Sequence, residues 1–91
     1  MEANIRKELD TLMKMVHNWK QDYQRWVTPA GGDDFLAREF LEEIERHVVS
    51  YVHRMYACEY LTSSEAEEFL DSCYGQVNEL RDLIMAAETQ N

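Results

Sequence analysis

Residues 28–34, TPAGGDD, are the strongest break in a chain of 91 residues, and they hold its one proline and two of its three glycines. Pro29 disfavours helical backbone at the residue before it and stops a helix. Gly31 and Gly32 permit the positive φ that a turn needs. Asp33 or Asp34 is then expected to accept a backbone N–H bond and cap the next helix. A second break lies in YLTSSEAEEF, residues 60–69. Thr62 with Glu65 three residues on is a capping-box pattern, so a helix is expected to start at Ser63.

These breaks leave three segments, 3–27, 34–60 and 63–87. Their apolar positions alternate steps of four and three. The first carries Ile5, Leu9, Leu12, Val16, Trp19, Tyr23 and Trp26. The second carries Ala37, Leu41, Ile44, Val48, Tyr51, Met55 and Cys58. The third carries Ala66, Leu70, Cys73, Val77, Leu80, Ile84 and Ala87. That spacing is a heptad seam on a helix. The expected fold is one all-α domain over residues 1–91, an up-down-up three-helix bundle with heptad-patterned seams that self-associates. Trp19, Tyr23 and Trp26 are expected in its core, at the end holding the Gly-Gly loop. Phe69 and Leu83 are expected to widen the buried stripe of the third helix.

The formal net charge is −9 and the sequence pI is about 4.6. That balance opposes direct binding to nucleic acid or to an anionic membrane, and it favours a basic protein partner. The charge is uneven: net +1 over residues 1–27, −4 over 28–61 and −6 over 62–91. The third helix therefore presents an acidic partner face through Glu65, Glu68, Asp71, Glu79 and Asp82. Arg6, Lys7, Lys14 and Lys20 on the first helix are expected to attract it, within one chain or across a dimer. The opening, MEANIRKELD, has no apolar h-region, so no secretory signal is expected. No apolar run approaches the roughly 20 residues of a spanning helix. A cytoplasmic location with reduced thiols is expected.

The stretch HVVSYVHRMYACEY, residues 47–60, holds two histidines, a cysteine and three tyrosines. Helical ligand pairs need spacings of three or four. His47 and His53 are six apart, and His53 and Cys58 five, so both pairs diverge. Glu43 and His47 are four apart but make an incomplete ligand set. An intrachain Cys58–Cys73 bridge would span roughly 12–14 Å along an antiparallel pair, beyond the reach of about 7 Å. Both cysteines are expected as buried seam residues. No phosphate loop or nucleophile motif occurs. No catalytic residue, metal or cofactor is therefore assigned.

The same stretch carries more apolar residues than the seam uses. Val49, Val52, Tyr56 and Tyr60 recur on a second face, with His53 among them. A helix that is apolar on several sides is buried on several sides. The expected protein interface is therefore Val49, Val52, His53, Tyr56 and Tyr60, covered by a second copy in a homodimer. Mid-helix Gly75 is a point where another helix could approach closely. The expected function is a non-enzymatic interaction module: an adaptor, regulator or inhibitor. One alternative is an acidic nucleic-acid mimic that occupies a basic groove. Another is a metal or small-molecule site assembled between helices at His47 or His53.

Overall fold

The computed structural model describes residues 2–89, with the side chain of Thr89 outside the description. It is all-helical, with no strand among the described residues. The elements are α1 (Ala3–Gln24), α2 (Asp34–Ile44), a π-helical turn (Glu45–Val49), α3 (Ser50–Ala57) and α4 (Ser63–Thr89). α2, the π turn and α3 form one continuous middle rod. The molecule measures 49 × 18 × 18 Å.

Cross-helix contacts set the directions. The Tyr51 hydroxyl donates to Glu8 at 2.9 Å, and the Tyr23 and Phe40 rings lie 5.5 Å apart. Low numbers on α1 thus meet high numbers on the middle rod, so the two run antiparallel. Lys20 Nζ contacts Glu79 and donates to Gln76 Oε1 at 3.1 Å. Arg6 shares a groove with Glu65. α4 therefore runs parallel to α1. The Lys20–Glu79 pair is the expected attraction of a basic first helix for an acidic third, made here within the chain.

One core joins all three rods. It holds Ile5, Leu9, Leu12 and Val16 from α1, and Ala66, Cys73, Val77, Leu80 and Ile84 from α4. Leu70 and Phe69 pack partly buried against it. The middle rod departs from the expected pattern. Its buried residues are Leu36, Ala37, Phe40, Ile44, Val48, Val52 and Met55. From Leu36 to Val52 they include an unbroken run of steps of four. Such a run drifts around an α-helix of 3.6 residues per turn. The wider π turn, with i→i+5 bonds, turns less per residue and takes the drift back. Phe40 therefore replaces Leu41 at the centre, and Val52 replaces Tyr51. Tyr51 lies at the surface, tied to Glu8. Cys58 is exposed, and only Cys73 is the buried thiol the pattern calls for.

The two connections differ in how they end their helices. α1 stops at Gln24, three residues short of the expected end. Trp26 N–H then bonds Tyr23 O at 3.0 Å and Val27 N–H bonds Gln24 O at 3.2 Å, so the last turn tightens and unwinds. Gly31 and Gly32 take φ of 85° and 79°, as the turn requires. Asp33 sits at the N-cap of α2 but makes no side-chain cap bond. Its carboxylate turns back across the loop instead. There Oδ2 accepts from Thr28 N–H at 2.8 Å and from Thr28 Oγ1 at 3.2 Å. The expected helix cap is thus a loop latch, and Asp33 is buried by it.

At the other end, Thr62 N–H donates to Glu65 Oε1 at 2.9 Å while Glu65 N–H donates to Thr62 Oγ1 at 3.1 Å. This is the reciprocal capping box, and α4 begins at Ser63 as expected. The helix before it ends at Ala57 rather than Tyr60. Tyr60 N–H reaches Met55 O at 2.9 Å and Glu59 N–H reaches Tyr56 O at 3.0 Å. That pair of bonds is a Schellman ending, which needs a left-handed residue at its hinge. Glu59 supplies it at φ 64°.

Candidate recognition surfaces

The two ends of the rod carry the four most exposed aromatics, Trp26 and Phe35 at one and Tyr56 and Tyr60 at the other. At the glycine end a cleft of about 580 Å³ opens between α1 and α2. Its aromatic walls are Trp19, Tyr23, Trp26 and Phe35. Trp19 and Tyr23 pack partly against the core. Trp26 is 71% exposed and Phe35 50% exposed. The expectation that this cluster is core therefore fails at Trp26. α1 unwinds before Trp26, so the indole leaves the packed face and stands at the mouth of the cleft. Phe35 lies next to buried Leu36 in the first turn of α2, on the side away from the core.

Carboxylates edge this cleft. Asp22 and Glu43 line it, and no lysine or arginine does. Asp22 has only a 3.6 Å contact with Arg25, both side chains being largely exposed. The phenol of Tyr23 is held above its ordinary pKa first by burial, then by the charges of Glu43 and Glu39 and a hydrogen bond to Glu43. Glu42 adds to that negative field. The His47 ring lies 6.1 Å from Trp19, tilted by 52°. His47 thus engages an indole, and Glu43 faces Tyr23 rather than pairing with His47. Among the described residues no group of three His, Cys, Asp or Glu is placed to hold a metal.

At the opposite end a groove of about 680 Å³ runs beside Tyr56 and Tyr60, over Ile5 and Leu61. The tyrosines are 50% and 55% exposed. Glu2, Glu59 and Glu65 edge it. Of the five residues expected to form an interface, only His53, Tyr56 and Tyr60 are exposed. Val49 is partly buried against the core. Val52 is fully buried inside the bundle, because the π turn rotates it inward, so it is not on a partner-facing surface.

The acidic row on α4 is also divided. Glu68, Asp71 and Asp82 are exposed. Glu79 is exposed but paired with Lys20, which holds its carboxyl below the usual range. Glu65 is drawn into the capping box, and the Thr62 backbone N–H lowers its pKa. A side chain added at Gly75 would meet nothing within 4 Å, so no close neighbour inside the chain requires that glycine.

Phe35, Leu36 and Phe40 are residues at the aromatic cleft or beneath it that pattern reading missed. Reading one apolar residue per turn passes over the run DFLAREFL, residues 34–41, in which apolar residues also fall at 35, 36 and 40. Their crowding next to the glycine loop is the signal that was present. No helix among the described residues is long and apolar enough to cross a membrane. No protein-family model, curated protein or solved structure matches this chain.

Proposed function

We propose that this chain is a non-enzymatic protein–protein recognition module that presents acidic, aromatic surfaces to a basic partner. One observation carries the reading. The three helices close a shared core, yet Trp26, Phe35, Tyr56 and Tyr60 stay half exposed or more, grouped at two ends beside carboxylates. Grouped exposed aromatics mark interaction sites, and tyrosine and tryptophan dominate interface energetics. Carboxylates around them steer a basic partner and raise its association rate.

Self-association belongs to the tyrosine end in this reading. With Val52 inside the bundle, the self-associating face reduces to Val49, His53, Tyr56 and Tyr60. Sedimentation equilibrium tests it: association that disappears in a Tyr56→Glu/Tyr60→Glu variant supports the homodimer, and a monomer at every concentration removes it. The nucleic-acid mimic is the weaker alternative, because Glu65 and Glu79 already have partners within the chain. A metal site at His47 or His53 gains no third ligand among the described residues.

Site-specific photocrosslinking tests the recognition reading. A benzoylphenylalanine is placed at Trp26, at Tyr60 and, as a control, at exposed Asp10 in separate proteins. The expected result in host extract is a defined protein adduct from one or both ends that the control lacks. Equal adducts from all three positions, or none, would sink the reading.

A further inference from the structure

We infer that the aromatic cleft at the glycine end seats a segment of a protein partner that carries lysine or arginine beside an apolar side chain. This rests on the recognition reading and names the place and the chemistry. The cleft volume of about 580 Å³ lies within the range of about 300–1,000 Å³ typical of binding clefts. Two indoles, a phenol and a phenyl ring line it. The faces of such rings attract cations placed over them, indole most strongly. They also take up apolar side chains, each contributing through the area it removes from water.

Charge selects which apolar segment fits. Asp22 and Glu43 line the cleft, Glu39 and Glu42 add to the field at Tyr23, and no lysine or arginine lines it. An acidic segment would be repelled. A neutral one would bury Glu43, already half buried, without compensation. A guanidinium or ammonium group answers both carboxylates and lies over the rings, while its apolar neighbour fills the space between Trp26 and Phe35. The tyrosine groove lacks this combination: it has carboxylates and tyrosines but no indole.

The test uses the full chain and synthetic peptides of equal length. One alternates leucine with lysine, one alternates leucine with glutamate, and one alternates glycine with lysine. Binding is read by fluorescence anisotropy of the labelled peptide and by the protein's own tryptophan emission. The leucine–lysine peptide is expected to bind and to shift the tryptophan emission, and the other two to bind at least about tenfold more weakly. Trp26→Ala is expected to weaken the leucine–lysine peptide about tenfold or more, as for an interface anchor. Glu43→Gln should weaken it and flatten its salt dependence. Asn78→Ala, at an exposed neutral site on α4 that lines neither groove, should leave it unchanged. Circular dichroism confirms that each variant keeps its helices.

Loss of binding in Tyr60→Ala but not in Trp26→Ala would overturn the assignment of the cleft while leaving the recognition reading standing. Unchanged binding in Trp26→Ala, or equal binding of the glutamate peptide, would overturn it as well. Absence of binding by every peptide overturns the inference, and the crosslinking result then decides the broader reading separately.

Discussion

The two ends of the rod are closed by different means, and the difference accounts for which aromatics are left outside. Between α3 and α4 the chain turns in five residues, 58–62, with Glu59 in the left-handed region and Thr62 and Glu65 capping each other. Local hydrogen bonds do that work, and Leu61 fills the core beneath. Between α1 and α2 the chain takes nine residues, 25–33, and the buried Asp33 carboxylate holds the loop through Thr28. A polar latch closes this end, so Trp26 and Phe35 are not needed to close it. Large side chains that the core does not use are then free for a partner.

The largest expected effect breaks the glycine end from below. Phe40 is fully buried and packs on Tyr23. Phe40→Ala is expected to cost about 3–5 kcal/mol in urea denaturation. In a domain with a total stability of about 5–15 kcal/mol, that variant stands near unfolding. Asp33→Ala comes next. It strands the Thr28 N–H and removes a charge-assisted pair, at an expected cost of about 1–3 kcal/mol. Loss of only a few tenths would show that the latch is not what holds the loop.

The tight end gives smaller effects. Thr62→Ala is expected to cost about 1 kcal/mol, the usual value of an N-cap. The other half of the box depends on pH with a defined sign. The Glu65 carboxyl is lowered in the folded chain by the backbone N–H of residue 62, so its contribution is present above the ordinary carboxyl range and is lost as pH falls through its lowered value. Wild type and Glu65→Ala should therefore converge in acid, while Thr62→Ala, which keeps that N–H, retains the dependence. Glu59→Gly is expected to stabilise by up to about 1 kcal/mol, because glycine takes positive φ without the Cβ penalty. Trp26→Ala is expected to change stability by less than about 0.5 kcal/mol, as an exposed site does. Phe40 and Trp26 stand 14 residues apart, both at the glycine end, yet their removal should differ in cost by about 2.5 kcal/mol or more.

The thiols provide an independent check on the middle rod. Cys58 is exposed and should react with a thiol reagent in the native state. Burial pushes the Cys73 thiol up to about 11, so it should react only on unfolding. Equal native reactivity of both would contradict the placement of α4 against the core.

Much of this fold was legible in the sequence, because the signals are local. The TPAGGDD break, the Thr62–Glu65 box and the apolar positions of α4 each rest on nearby residues. The middle rod was legible in part: the seam spacing finds the buried Ala37, Ile44, Val48 and Met55 but not Leu36, Phe40 or Val52. The π turn at Glu45–Val49 re-phases the helix, and steps of three and four give no sign of an extra residue. Tyr51 and Val52 therefore exchanged roles, and the expected interface lost its central valine. The end at Ala57 was hidden because glutamate, not glycine, stands at the left-handed hinge. The aromatic cleft was hidden for a related reason. Trp26 continues the seam spacing of α1, and nothing in that spacing shows that the helix stops at Gln24.

The most direct test of the account is a nuclear magnetic resonance titration of the labelled protein with the leucine–lysine peptide. Saturable shifts are predicted at the indole N–H signals of Trp19 and Trp26 and at the amides of Phe35 and Leu36, with Tyr56 and Tyr60 unmoved. Largest shifts at Tyr56 and Tyr60, or along Glu68, Asp71 and Asp82 on α4, would contradict it.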